Sequence, residues 1–466
     1  MSTTDSQTTG EENSTDKKPS PRALVSHSDN HEGNELLATD NIEDLNDREK
    51  AWHCWQWIDA HENHHVLAVR ETGKLYACHD GVWQPDGENE LRKLANKLLG
   101  IEYGRNVLEE LKDRVRASGA VEQESLGLEP GALAVKNGLL DLETREIRDL
   151  RPDDYALSRL PVEYDPNAEC PRWEQFISEV SPVDRQDALQ EYVGYCLDVG
   201  EMRYKKALML VGDRNAGKTT FLNTVRKLLG GDNVPGVSLQ ELCNGRFAGS
   251  RLESAIANID ADLSAEGLGN GSDFKKLVGN DVITVEEKYE ASYEIHQTAK
   301  MLFAANQIPR FENDDLAFYS RWLIIQFPET IPPDEQDMDL GDKLDSELSG
   351  ILNWALDGHE RLHEQDGFSN ERTPKETRQT WRMWSDPLTE FIELHITGDP
   401  GNILPTTKIH EAYSNFTDGI NGPGEDYTQR KLTRELNKRT GFNYGRYRTD
   451  GKQLRGFKGI GFVDKT

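Results

Sequence analysis

The chain is short of cysteine, of basic residues and of long apolar runs, and each shortage excludes something. Five cysteines in 466 residues (Cys54, Cys78, Cys170, Cys196 and Cys243) form no Cys-x-x-Cys pair. An odd, scattered set argues against a disulfide framework and fits a reducing compartment. No apolar run approaches membrane-spanning length, and the opening "MSTTDSQTTGEENSTDKKPS" has no apolar signal core. The expectation is a soluble, cytoplasmic protein. Lys plus Arg number 54 against 83 Asp plus Glu, a net charge of −29. Phosphate backbones are bound by Lys and Arg, so total charge alone argues against nucleic acid. An acidic coat that keeps a protein soluble in high salt gives the same total. Salt screens the long-range repulsion and leaves local basic patches to decide binding. The distribution of charge therefore matters more than its sum.

Residues 1 to 45 are polar and nearly free of aromatics, and read as a disordered acidic tail. From 50 to 170 the pattern predicts an N-terminal α+β domain. "HVLAVRETGKLYACHDGVWQPDG" alternates around Thr72-Gly73 and Asp80-Gly81, which is hairpin chemistry, and "ENELRKLANKLLG" and "NVLEELKDRVRASG" have helical spacing. Residues 171 to 203 form a helical lead-in. Between 204 and 330, apolar runs ("ALMLV", "SAIANI", "KMLFAAN", "WLIIQF") alternate with helical stretches, predicting an α/β unit with a largely parallel sheet. Residues 331 to 384, which include "PPDEQDMDLGDKL", read as an acidic helical segment. Residues 385 to 466 read as three helices and a glycine-punctuated strand pair, a winged-helix-like module.

The most specific local signal is "GDRNAGKT". It fits G-x-x-x-x-G-K-[ST], with Gly212, Asn215, Ala216, Gly217, Lys218, Thr219 and Thr220 following a strand and opening an amphipathic helix. Glycines let backbone N–H groups turn toward phosphate, and the helix N-terminus adds positive potential. Lys218 suits the β- and γ-phosphates of ATP, and Thr219 suits Mg²⁺. A nucleotide hydrolase also needs an acid at the end of a neighbouring strand. "SAIANIDADLS" offers Asp260 and Asp262, which a two-residue spacing on one strand would place on the same face. One would hold Mg²⁺ and the other polarise water, with the roles open. Asn306, ending "KMLFAAN", can orient that water. Arg321 opens the fourth apolar run, where it suits an arginine finger or a surface ion pair to Asp314 or Asp315.

This order of loop, paired acids, strand-end Asn and trailing Arg resembles the superfamily three helicases. "DFKKLVGNDVITVEEKYEASYEI", "VKNGLLDL", "LPVEYDPNAECPRWEQFI" and "LQEYVGYCLDVG" resemble the phage/plasmid primase–helicase family over roughly residues 60 to 330. The resemblance implies an AAA+-like P-loop ATPase core that closes into a hexameric ring and translocates on single-stranded DNA. It carries the loop residues to Lys218 and Thr219, the acids to Asp260 and Asp262, the sensor to Asn306 and the finger to Arg321. It carries a DNA-contacting hairpin to Lys288 and Tyr289, a pairing suited to phosphate and base stacking. Family members often have two adjacent arginines at the finger; here Ser320 takes the first place. No primase fold is expected upstream of this core, so a primase would be a separate partner.

The charge objection is met at the C-terminus. Residues 428 to 466 hold eleven Lys or Arg against three Asp or Glu, whereas residues 1 to 50 hold five against twelve. Arg430, Arg434 and Lys438 recur at four-residue spacing, and "NYGRYRTDGKQLRGFKG" interleaves basic and aromatic residues. Such a module fits origin duplex DNA; a docking domain with a solvated basic face has the same composition. The histidines and cysteines at 53, 54, 61, 64, 65, 78 and 79 match no structural zinc spacing. The expectation is an ATP-dependent replicative DNA helicase of a mobile element. The alternatives are an origin-melting ATPase without processive unwinding and a non-catalytic nucleotide-binding protein. An RNA strand is also open.

Overall fold

The computed structural model describes residues 42–61, 65–244, 249–264, 268, 271–279, 281–285, 293–311, 315–418, 427–449 and 452–463. The expected tail up to residue 41, and Lys288, Tyr289, His64 and Asp314, lie outside the described residues. The chain forms two compact units, Met1–Glu129 with Asp149–Leu157, and Pro130–Arg148 with Ser158–Thr466. Composition drew its boundary near 170 instead. The physical reason for the difference is that Leu133, Val135, Leu140 and Leu142 share one core with Trp173 and Phe176, so their strands fold with the second unit.

In the first unit, helix α1 (Asp47–Ala60) starts at a reciprocal cap between Asn46 and Glu49. Strands β1 (Val66–Val69), β2 (Leu75–His79) and β3 (Val82–Gln84) form consecutive hairpins. Asp80 and Gly81 both take positive φ, 50° and 85°, as a two-residue primed turn requires. Helices α2 (Gly87–Leu99) and α3 (Arg105–Ser118) pack with α1 around Ala51, Cys54, Leu91, Leu94, Leu108 and Leu111. Strand β4 (Ala120–Val121) adds to β1 in parallel.

The second unit begins with an antiparallel meander, β5 (Ala132–Val135), β6 (Gly138–Asp141) and β7 (Ile147–Arg148). Helices α4 (Pro171–Val180) and α5 (Val183–Tyr195) lead into β8 (Ala207–Val211). There follow α6 (Lys218–Leu229), α7 (Leu239–Asn244), β9 (Ala257–Asp260), α8 (Ser272–Gly279), β10 (Val282–Val285) and β11 (Tyr293–His296). Then come β12 (Lys300–Ala305), α9 (Leu316–Tyr319) and β13 (Trp322–Gln326). The central sheet has the order β13-β8-β12-β9 with every pair parallel. All residues of β8 and β12 are buried, which is why they read as unbroken apolar runs rather than alternating ones. β10 and β11 pair antiparallel as the stem of a hairpin.

Helices α10 (Leu340–Ser346), α11 (Leu348–Gln365) and α12 (Pro374–Ser385) follow. The expected helix from residue 331 is thus corrected: Pro332 and Pro333 break it, and helix starts only at Leu340. α11 lies against α5 at close range. A Cβ on Gly194 would lie 2.4 Å from the backbone N of His359. The chain ends in α13 (Pro387–His395), β14 (Ile396–Pro405), α14 (Thr406–Asp418), α15 (Gln429–Thr440), β15 (Asn443–Thr449) and β16 (Lys452–Phe462). The three strands form an antiparallel sheet, β14-β16-β15, over a core of Leu388, Phe391, Ile409, Tyr413, Leu432, Leu436 and Phe457. β14 was not expected, because most of its residues are exposed and show no alternation. The fold is mixed α/β. Among the described residues no helix is long and apolar enough to cross a membrane.

Candidate functional site

The loop from Gly212 to Gly217 joins β8 to α6 at the C-terminal edge of the parallel sheet. Gly212 has no room for a side chain, since a Cβ there would lie 2.3 Å from the Phe327 carbonyl oxygen. Asn215 and Gly217 turn the loop with φ of 63° and 87°. Lys218 is the first residue of α6, and no side chain caps that helix. Its leading N–H groups are therefore left to backbone, water or an anion. Asn215, Ala216, Gly217, Lys218, Thr219 and Thr220 line one side of a cleft of about 1520 Å³.

Lys218 is buried, and its Nζ donates to Gly212 O at 2.8 Å, Asp213 O at 2.7 Å and Asn306 Oδ1 at 3.1 Å. Burial lowers its pKa, and the charges of Asp213 and Asp262 work against that. Asn306 follows β12, the strand between β8 and β9. The acids therefore come from the next-but-one strand rather than the adjacent one. They also do not share a strand face. β9 stops at Asp260, whose Oδ1 accepts the Asp262 N–H at 3.3 Å across a turn. Asp262 lines the cleft beside Lys218 and Asn306; Asp260 does not. Burial raises the Asp260 pKa, against the Asp262 amide it accepts from and with the charge of Asp262.

Arg321 lies elsewhere. Its carbonyl accepts from Ala207 N at 2.7 Å, at the far end of β8. Five residue steps separate Ala207 from Gly212, about 17 Å at strand rise, beyond the reach of an arginine side chain. Its buried Nε finds no hydrogen-bond partner among the described residues. The alternative ion pair to Asp315 is not formed, because Asp315 binds Lys275.

Two parts of the cleft escaped the sequence reading. Phe176 and Val180 of α4 back the loop, and a Cβ on Gly217 would meet Val180 Cγ1 at 2.7 Å. The opposite wall comes from Glu329, Ile331, Gln336, Met338 and Leu340, with Ile331 N bonded to Asn215 O at 3.1 Å. The Pro332-Pro333 step within this wall was the available signal.

Arg430, Arg434 and Lys438 are all exposed on α15, and Leu432 and Leu436 face the core. On the neighbouring hairpin, Arg446 stands directly opposite Arg455, with Arg448 two residues on; all three are exposed. The one set of three potential metal ligands among the described residues is Asp198, His359 and His363. His359 Nε2 and His363 Nε2 each approach one oxygen of Asp198, at 2.7 and 3.0 Å, and Arg203 reaches His363 Nδ1 at 3.3 Å. Lys300 is bonded to the Asp198 backbone carbonyl. With these cations around it and both carboxylate oxygens engaged, the set acts as a hydrogen-bonded tie between the turn after α5 and α11. Among the N-terminal histidines that match no zinc spacing, His61 Nδ1 meets Trp57 O at 2.7 Å and His79 Nε2 meets Asp86 at 3.2 Å.

Residues 55–182 match the family described as D5 N terminal like. Residues 210–321, which hold the loop, the acids, Asn306 and Arg321, match DUF5906, a family of unknown function. Among solved structures, the chain is similar to an apo structure of the NrS-1 C terminal region, with 10% identity and a TM-score of 0.46 over 86% of this chain and 96% of that one. A second, A-form apo structure of the same region gives 9% identity and a TM-score of 0.45 over 85% and 96%. The D5 N terminal like segment, residues 55–182, supports a likeness to the phage-type primase–helicase family.

Proposed function

We propose that the protein is an ATP-dependent DNA helicase of the superfamily three type, working as a ring and built on a P-loop core with a winged-helix-like C-terminal module. One observation carries the reading. Lys218 and Asn306, 88 residues apart, meet at 3.1 Å in a cleft that Asp262 also lines, at the C-terminal edge of a parallel sheet. Crevices at that edge are where α/β folds bind ligands. The residues fit a triphosphate with Mg²⁺: a glycine cradle, an uncapped helix start, a buried ammonium, and Thr219 and Asp262 as oxygen ligands. When bound, Mg²⁺ would neutralise charge on the β- and γ-phosphates.

The chain's own residues divide the remaining work. Lys218 draws Asn306 Oδ1 toward itself, which turns the amide nitrogen outward as a donor for the attacking water or a γ-phosphate oxygen. Asp260 orders Asp262 through the bond to its amide. Arg321, out of reach of its own cleft, would complete the cleft of a neighbouring subunit, which requires a head-to-tail interface that closes. The β10–β11 hairpin would carry Lys288 and Tyr289 onto single-stranded DNA. The exposed cations of α15 favour origin duplex as a second ligand, so an origin-melting ATPase is the other reading.

The test is ATP hydrolysis in high salt, with and without single-stranded DNA, for wild type, Lys218→Ala and Arg321→Ala. The expected result is DNA-stimulated hydrolysis, loss in each variant, and partial recovery when the two are mixed. Full activity of Arg321→Ala alone would remove the shared site and with it the ring.

A further inference from the structure

The segment that follows Asn306 is pinned to α12 and to the start of the C-terminal module. Trp381 Nε1 donates to Pro309 O at 3.0 Å, and Gln307 Nε2 approaches Ser385 O at 3.5 Å. The next residue, Arg310, pairs with Asp386 Oδ2 at 2.9 Å. The other oxygen of the same carboxylate takes Arg439 of α15 at 2.6 Å. Thr389 Oγ1 also donates to Asp386, at 2.7 Å, and Thr389 N caps α13 on it. Although burial opposes ionisation, these donors hold the Asp386 carboxyl below its usual range. Asp386 is thus one charge shared by the loop that carries Asn306 and the helix that carries Arg430, Arg434 and Lys438.

The joint is polar rather than packed. Arg310, Asp386, Tyr427, Lys431 and Arg439 border a cavity of about 340 Å³. At ~30 Å³ per water, that is room for on the order of ten molecules. Such a bridge fixes direction while leaving space to rock, unlike a close-packed core.

We propose that Asp386 is a positioning residue which transmits occupancy of the basic helix to Asn306, so that a polyanion bound on α15 changes the rate of hydrolysis. The idea rests on the ATPase reading and goes beyond it, because it makes the C-terminal module part of the hydrolytic cycle rather than a tether. An anion that draws Arg439 toward itself loosens its hold on Asp386, and Arg310 and the Asn306 loop are the groups that feel the change.

The experiment uses the full chain and random-sequence duplex DNA at low salt. ATP turnover, duplex affinity and melting temperature are measured for wild type, Arg310→Met, Arg439→Met, Arg439→Lys and Asp386→Asn, the last keeping an acceptor for the α13 cap. In wild type, duplex should change kcat by a coupling of ordinary size, about fivefold or more. In Arg310→Met, Asp386→Asn and Arg439→Met that ratio should fall toward one while turnover without DNA is kept, and Arg439→Lys should restore part of it. Arg310 belongs to the Asn306 segment rather than to α15, so the duplex affinity of Arg310→Met should equal that of wild type. Unchanged stimulation in Arg310→Met and Arg439→Met overturns the proposal. So does a parallel loss of melting temperature and DNA-free turnover in both, which is what a merely structural joint gives. Wild type that hydrolyses nothing sinks the ATPase reading itself, and the proposal with it.

Discussion

Lys218→Met separates folding from chemistry at the candidate site. The side chain keeps its stem and loses its ammonium. Lost with it are three hydrogen bonds, of 2.8, 2.7 and 3.1 Å, to Gly212 O, Asp213 O and Asn306 Oδ1. Bonds from charged donors contribute about 1.5–3 kcal/mol each when truncated. The ammonium is also buried, and burial already lowers its pKa, so the same change relieves a desolvation cost. The acceptors border an open cleft where water can replace the lost donor. These effects oppose, and the net change in stability should be about 1 kcal/mol or less, a melting shift of roughly 2–4 °C at most. Chemistry has no such compensation. A preorganised donor to developing phosphoryl charge contributes about 2.7–4 kcal/mol, or 10²–10³ in kcat. The assay is phosphate release and thermal melting in one buffer. Lys227→Met is the control, since Lys227 also lines the cleft but is a half-exposed partner of Asp345. The control should keep its turnover. A folded Lys218→Met protein within about tenfold of wild type would refute the placing of Lys218 on a transferring phosphate.

Three further outcomes are expected. Gly194→Ala puts a Cβ 2.4 Å from His359 N and 2.6 Å from Ala355 O, both backbone atoms, so α5 and α11 must separate. The loss should be about 1–3 kcal/mol or more by denaturant melts, and an unchanged midpoint would show that the helices shift without cost. Lys300 is fully buried, and burial lowers its pKa to about 8. An unfolded lysine keeps its proton to about pH 10.4, so between those values the unfolded state binds more protons and this group's contribution to stability rises with pH. The difference in melting temperature between wild type and Lys300→Met should therefore grow from pH 8 upward; a constant difference would refute it. Replacing Arg446 and Arg455 with Ser removes a like-charge pair that faces across β15 and β16. If both contact phosphate, the salt slope of duplex binding should fall by about 2, whereas an unchanged slope places the DNA elsewhere.

Much of the central sheet was legible because its strands are buried on both faces. β8, β12 and β13 each correspond to a run of adjacent apolar residues, β9 carries a buried Asn258 within its run, and the loop after β8 carries its glycines at positions the backbone demands. Strand order was not legible. Nothing local says that β12 lies between β8 and β9, and that placement makes Asn306 rather than an aspartate the nearer partner of Lys218. Asp260 and Asp262 were expected on one face because spacing was read as strand; the strand stops one residue after the first apolar run, and a turn follows. β14 was missed since an edge strand with little burial has no period to read. The Asp386 joint was invisible because its partners are 76 residues upstream and 53 downstream.

The position of Arg321 has a consequence for behaviour at different protein levels. Its backbone sits at the opposite end of β8 from the loop, and all four strands are parallel, so no rotamer brings it back to its own cleft. On the proposed reading a lone chain is half an enzyme. Turnover per molecule would then rise with concentration and vanish on dilution, with an order above one. A replicon encoding such a protein would carry a threshold in its own gene dose: below it the protein idles with its nucleotide intact, and above it replication begins.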